Sequence, residues 1–188
     1  MEFNLEINNE LNLHFKKNGV NLDIKNSDDI NEIFKECLED LNKFKIFLEF
    51  VLGKNIVDLN IKDEFGNYPL LQTCQHNDIE IVNLLIKCAN KNDIILELND
   101  KDEDENYPLL LACYENNIDI VHSLIDYANE NNIILKLNDK DNDGYYPLLW
   151  ACDDNNNIEM VQLLIDYANE NNIILELNEK TNMGIIHC

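Results

Sequence analysis

Apolar residues at Val121, Leu124, Ile125 and Ala128 fall at i, i+3, i+4 and i+7, the spacing of one buried helical stripe. They predict an amphipathic helix starting near Ile118. Just before it, Leu109-Leu110-Leu111-Ala112-Cys113-Tyr114 forms a shorter apolar run behind Pro108. Proline suits a first helical position, where its fixed φ is already helical and its missing N–H has no partner to lose. Asn116-Asn117 separate the two helices. After Asn129-Glu130-Asn131-Asn132 comes an apolar stretch, Ile133-Ile134-Leu135-Lys136-Leu137, closed by Asn138; upstream, Asp102 to Asn106 is an acidic turn. The unit reads as turn, short helix, turn, longer helix and apolar return loop.

The unit recurs. Asn67-Tyr68-Pro69-Leu70-Leu71 returns as Asn106-Tyr107-Pro108-Leu109-Leu110 and as Tyr145-Tyr146-Pro147-Leu148-Leu149, each step being 39 residues. A constant period of this size marks a solenoid of stacked supersecondary units, none of which can bury its apolar face alone. The expected fold class is an all-α repeat solenoid of helix-turn-helix units, with full repeats at 62–100, 101–139 and 140–179. One insertion at Asn156 or a neighbour puts the counterpart of Asn138 at Asn178, 40 residues on.

Residues 27–61 lack the Pro-Leu signature but keep the period. Ile30, Ile33, Phe34, Cys37, Leu38 and Leu41 form a stripe behind Ser27, the expected N-cap. Phe44 to Leu52 is a second helical segment stopped by Gly53. Ile56-Val57-Asp58-Leu59-Asn60 then aligns with Ile95-Leu96-Glu97-Leu98-Asn99, so this is a degenerate first repeat acting as a cap. In residues 1–26, Leu11, Leu13 and Phe15, then Val20, Leu22 and Ile24, alternate with polar residues about Asn18-Gly19. That predicts a small N-terminal β-hairpin, with Phe3, Leu5 and Ile7 as a third strand, or else a loosely ordered tail. Residues 180–188 begin another turn without helices to follow. The last full repeat is therefore expected to leave apolar surface open, either because the chain is a fragment or because that face meets a second copy.

These residues resemble the ankyrin repeat, whose pattern runs Asp-x-x-Gly-x-Thr-Pro-Leu-His-x-Ala-Ala and then Gly-His-x-x-Ile-Val-x-x-Leu-Leu. Asp63, Gly66, Pro69 and Leu70 match it, and Ile79-Glu80-Ile81-Val82-Asn83-Leu84-Leu85-Ile86 matches the second helix. The third copy matches through Asp141, Gly144, Pro147, Leu148, Ala151, Val161, Leu163 and Leu164. The resemblance covers residues 28–188. Four departures stand out. Tyr replaces the Thr before Pro, Leu replaces the His, and Glu105 sits where the turn glycine belongs, so that turn must form without the residue that reaches φ > 0 most easily. The period is 39 rather than about 33. The six extra residues fall after the second helix, read as a lengthened helix and an apolar loop on the back of the stack.

The resemblance implies a non-catalytic protein-binding scaffold with a concave groove lined by turn tips and exposed first-helix positions. Carried over by position, the tip candidates are Glu64, Phe65, Asn67, Glu103, Asp104, Asn106, Asn142, Asp143 and Tyr145. The first-helix candidates are Gln75, His76, Tyr114, Glu115, Asp153 and Asp154. Phe65, Tyr114 and Tyr145 interleaved with carboxylates suit a basic, partly apolar protein partner, steered electrostatically and anchored on aromatic rings.

Composition sharpens this picture. The chain has 188 residues, 45% of them apolar, enough for a sizeable core. Its formal net charge of −23 would repel nucleic acid and anionic membranes, and fits either a basic partner or simple solubility. The longest apolar stretch, Ile46 to Leu52, is broken by Glu49 and too short to span a bilayer. No signal-like N-terminus, no Cys-x-x-Cys and no Asn-x-Ser/Thr acceptor is present, which favours an intracellular, cytoplasmic location.

Candidate chemistry adds little. Asp139-Lys140-Asp141-Asn142-Asp143-Gly144 begins like a calcium loop, but its twelfth position is Trp150 where a bidentate carboxylate is needed. Cys74, Cys113 and Cys152 share one repeat position and are expected as core thiols, since stacked helices at ~8–10 Å are too far apart for a disulfide. His14, His76, His122 and His187 have no metal-ligand spacing, and five glycines include no phosphate-binding loop. The expectation is no enzyme, no cofactor and no metal. Trp150, the only Trp, is either a core residue or a binding anchor. Two other functional classes stay open: a self-associating structural module, monomeric or weakly paired through its last repeat, and the binding fragment of a larger protein with an absent effector domain.

Overall fold

A computed structural model describes residues 2–22, 29–153 and 157–176. Within them the chain is helical: α1 (Glu2–Lys17), α2 (Ile30–Leu38), α3 (Leu41–Val51), α4 (Pro69–Gln75), α5 (Ile79–Lys91), α6 (Pro108–Tyr114), α7 (Ile118–Glu130), α8 (Pro147–Asp153) and α9 (Ile158–Glu170). Short and long helices pair as α2–α3, α4–α5, α6–α7 and α8–α9. The short α4, α6 and α8 stack in one row, and the long α3, α5, α7 and α9 stack in a second row behind it. This is the all-α solenoid expected from the period.

Each helix has a local cause. Pro69, Pro108 and Pro147 open the short helices. Asp40, Asp78, Asn117 and Asn157 cap the long ones by accepting from backbone N–H groups of the first turn. The expected Ser27 cap lies outside the described residues; Asp29 caps α2 instead, accepting from Asn31 N at 2.9 Å. Left-handed Asn77 (φ 58°) and Asn116 (φ 54°) end α4 and α6. Between the rows, Leu70, Leu71, Leu109, Leu110, Val82, Leu85, Val121 and Leu124 are essentially sealed from solvent. Burying one such side chain contributes about 1.5–3 kcal/mol.

The N-terminal hairpin is not formed: its first arm, Leu11 to Phe15, and the third-strand residues Phe3, Leu5 and Ile7 lie in helix α1, while Ile24 lies outside the described residues. Leu11 and Phe15 are fully buried and Ile7 packs on the same core, the i, i+4, i+8 spacing of a helical stripe, while Leu13 faces out at 55% exposure. Asn18-Gly19 is a helix stop rather than a hairpin turn. Gly19 takes φ 74°, its N–H donates to Lys16 O, and the Val20 N–H reaches back to Phe15 O. What decides the outcome is the neighbour, since α1 lies against α3 and buries its stripe there.

The six extra residues per repeat form the return loop and its fastening. Left-handed Asp93, Asn132 and Asn172 end the long helices, and Ile94, Ile133 and Ile173 N–H groups close back onto Ala89, Ala128 and Ala168. The loop then runs extended, with Leu96 and Leu98 buried while Ile95 and Glu97 face out. Two side chains from adjacent repeats clamp its backbone. Asn60 donates to Ile95 O (2.7 Å) and accepts from Glu97 N (3.1 Å). Asn99 does the same to Ile134 O and Lys136 N, and Asn138 to Ile174 O and Glu176 N. From the other side, the Tyr127 hydroxyl accepts from Leu96 N (3.0 Å) and donates to Ile94 O (3.3 Å), and Tyr167 does so at Leu135 and Ile133. A loop without sheet partners thus has its inner polar groups satisfied by side chains, as buried backbone requires.

The last described repeat is more open than its predecessors. Val161 and Leu175 are half-buried where Val121 and Leu135 are buried, and Ile174 is 89% exposed. Residues 177–188 and the insertion near Asn156 lie outside the described residues.

Candidate protein-binding surface

The turn tips are built by one aspartate each. Asp63 Oδ1 accepts from Phe65 N and Asn67 N, Asp102 Oδ1 from Asp104 N and Asn106 N, and Asp141 Oδ1 from Asp143 N and Tyr145 N, all at 2.8–3.0 Å. These bonds hold four residues in a tight loop whose fourth member is left-handed: Gly66 (φ 82°), Glu105 (φ 64°) and Gly144 (φ 88°). Glu105 therefore does adopt the conformation expected of glycine, and its carboxylate is held by Lys101 at 2.9 Å. Successive tips touch through their backbones, Glu103 N donating to Phe65 O (3.0 Å) and Asn142 N to Asp104 O (3.4 Å).

Behind the tips, the tyrosine that replaces the family's threonine has a distinct task. Tyr68 and Tyr107 are fully buried and donate their hydroxyls to Asp100 O and Asp139 O, the last residues of their own repeats at the junction with the next, both at 2.8 Å. Threonine is too short to reach that far. Burial first, with nearby carboxylates adding, pushes both phenols well above their ordinary range, so they remain donors.

The candidates sort into two groups. Glu64, Phe65, Gln75, His76, Glu103, Asp104, Tyr114, Asn142 and Asp143 are exposed on tips or short-helix ends, and Glu115 is half-buried. Asn67 and Asn106 are half-buried and spend their amides on Asp63 and Asp102, closing the turns. Tyr145, expected as an exposed anchor, is a correction: it is 5% exposed. Its ring stacks on Trp150 with centroids 3.9 Å apart and planes at 14°. Asp153 ends α8, its side chain is not described, and Asp154 lies outside the described residues.

Trp150 is half-buried, with Tyr145 stacked on it and Tyr114 set edge-on at 4.8 Å and 74°. Tyr114 itself is 50% exposed. The three rings form one aromatic cluster on α6, α8 and the tip before α8. Its sequence signal was Trp150 at the repeat position held elsewhere by Gln72 and Leu111, though nothing in the sequence showed that Tyr145 would turn inward.

Cys74 and Cys113, with Cys37 and Cys88, are free and buried. Cys152 differs from the expectation: it is half-buried and disulfide-bonded rather than a core thiol. Among the described residues, no group of His, Cys, Asp and Glu is arranged to hold a metal, and no helix is long and apolar enough to cross a membrane.

No curated protein gives a significant match to the sequence. The family described as "Ankyrin repeats (3 copies)" matches residues 36–134 and 93–176, most of the chain. Members of this family are in general protein–protein interaction modules. With the paired-helix stack, the Asp-closed turn tips and this match in agreement, the chain belongs to the ankyrin repeat family.

Proposed function

We propose that the chain is a non-catalytic binding scaffold whose concave face, formed by the tips and α4, α6 and α8, holds a basic, partly apolar segment of a protein partner. The observation that carries this reading is the Tyr114–Trp150–Tyr145 cluster, accessible through Tyr114 and near the exposed carboxylates of Glu103, Asp104 and Asp143. Tyr and Trp anchors are the usual energetic centres of interfaces, and a net charge of −23 steers cationic partners in. Among the described residues, the buried free thiols of Cys37, Cys74, Cys88 and Cys113 fit a reducing setting, whereas the disulfide at Cys152 does not.

The test is affinity capture from lysate, comparing wild type with a variant carrying Glu103→Lys, Asp104→Lys and Tyr114→Ala. Tyr145 is left intact because it is buried. A basic protein held by wild type and lost by the folded variant supports the groove; equal retention by both moves binding elsewhere. A second reading, weak end-to-end self-association, is favoured by the open Ile174, Val161 and Leu175. A sedimentation profile independent of concentration would remove it.

A further inference from the structure

The chain has six cysteines. Cys37, Cys74, Cys88 and Cys113 are free, while Cys152 near the end of α8 is disulfide-bonded. The structure holds one chain, so the partner of Cys152 is a cysteine of the same chain, and only Cys188 is left. The path to it is set by the last return loop. Glu176 N donates to Asn138 at 3.1 Å and the Glu176 carboxylate meets Lys140 at 3.5 Å, so the loop is still held in the register of its predecessors there. Cys188 stands twelve residues beyond Glu176, as Leu148 stands twelve beyond Lys136. Leu148 opens the face of α8 that stacks on α6, so the same path brings Cys188 to the outer side of α8, the helix that carries Cys152. The two rows of helices also end differently. Leu148, Leu149 and Ala151 of α8 are 2–4% exposed, nearly as sealed as their counterparts in α6, with no further described helix stacked beyond them. In α9, Val161 and Ile165 are half-buried where Val121 and Ile125 of α7 are buried.

We propose that Cys152 pairs with Cys188, fastening residues 177–188 across the outer side of α8 as a strap that thiol–disulfide exchange releases. This stands apart from the groove reading above. Stacked helices lie ~8–10 Å apart, and a disulfide joins Cα atoms at about 4.4–6.8 Å, so the bond draws the segment closer to α8 than another repeat helix would lie. The strap is selective in its chemistry. Cys152 is half-buried and within reach of a small dithiol, whereas the four free thiols are buried and burial holds them protonated. A thiolate of the dithiol attacks one sulfur of the pair, the Cys152–Cys188 bond breaks, and the released thiolate takes a proton. The second sulfur of the dithiol then displaces the first, leaving the reductant as a disulfide and both cysteines as thiols. Two electrons and two protons pass to the protein; a small disulfide such as oxidised glutathione drives the reverse. A disulfide in a chain whose other thiols are free and buried fits a bond that is made and broken rather than a permanent staple.

The test equilibrates the folded chain with oxidised glutathione, blocks free thiols with N-ethylmaleimide and digests with trypsin without reductant. Cleavage after Lys140 and Lys180 is expected to leave the Thr181–Cys188 peptide joined to Asp141–Lys180, and dithiothreitol to separate them. Six blocked thiols, glutathione held on Cys152, a bond from Cys152 to any other cysteine, or a dimer on a non-reducing gel overturns the pairing. Hydrogen exchange then reads the strap. Reduction is expected to speed exchange of the α8 amides about ten-fold while those of α4 stay unchanged. Cys188→Ser should exchange at the reduced rate and no longer respond to dithiothreitol. A correct cross-link with α8 rates that ignore reduction overturns the strap, and a Cys188→Ser variant that still responds to dithiothreitol overturns the role of Cys188.

Discussion

Single residues show where this chain obeys local chemistry and where a neighbour decides. Gly66 and Gly19 both take left-handed φ, 82° and 74°. A Cβ on Gly19 would meet nothing within 4 Å, whereas one on Gly66 would lie 3.1 Å from Asp102 Cα in the next repeat, a backbone atom that cannot swing aside. Left-handed strain alone costs roughly 1–2 kcal/mol for a residue with a Cβ. Gly19→Ala is therefore expected to destabilise by about 1 kcal/mol, and Gly66→Ala by distinctly more, about 2–3 kcal/mol, because it also pries two tips apart. Urea unfolding of the two variants checks the order; equal losses would mean the Gly66 contact relaxes freely. Glu105 carries the same strain with its side chain held by Lys101.

At the scale of elements, the return loop is where this chain departs most from the family's shorter repeat. Its residues cannot form a helix partner or a sheet, so its stability lies in the tyrosine and asparagine clamps. Tyr127→Phe keeps the ring but leaves the buried Leu96 N–H and the Ile94 carbonyl without their hydroxyl, and should cost about 1–3 kcal/mol. Asn99→Ala frees Ile134 O and Lys136 N at a more exposed edge, where water can replace the amide, and should cost less, about 0.5–1.5 kcal/mol. Hydrogen exchange separates local from global effects. Tyr127→Phe is expected to speed exchange at Leu96 more than in the core of α6. If the Leu96 amide stays as protected as before, the loop is held by its leucines instead.

At the scale of the whole molecule, charge and buried titratable groups set the response to solution conditions. Burial pushes the Cys37 thiol up to about 12 and the Cys88 thiol to about 11, and raises Cys74 and Cys113 further. A folded state that holds these protons more tightly than the unfolded chain keeps that stability in full below the ordinary thiol value near 9, and loses it as pH rises toward the folded values. The urea midpoint is expected to be flat near neutral pH and to fall between about pH 9 and 12; an unchanged midpoint across that window would mean the thiols ionise in place. With 37 acidic side chains against 14 basic ones, the folded chain also repels itself. Raising NaCl from about 0.05 to 0.5 M should lift the thermal midpoint by screening that repulsion, and a midpoint that drops instead would show that the surface ion pairs outweigh it.

The sequence by itself determined the repeat, its period and the pairing of a short with a long helix, because these follow from apolar spacing and proline placement that every copy states again. It also marked the acidic turn tips, where an aspartate closes the same loop each time with Gly66, Glu105 or Gly144 at the left-handed place. What only the tertiary structure decided lay wherever one residue had two local readings. Leu11, Leu13 and Phe15 alternate as a strand would, yet Leu11 and Phe15 are also one helical turn apart, and α3 rewards that reading by burying both. Tyr145 stands on an acidic tip like an exposed anchor, and turns inward because Trp150 offers a flat face to stack on. Asn60, Asn99 and Asn138 look like ordinary loop asparagines until the neighbouring repeat brings an extended backbone within reach of both ends of the amide. Period and local turns are properties of one segment; the clamps and the ring stacking exist only between segments that the stack brings together.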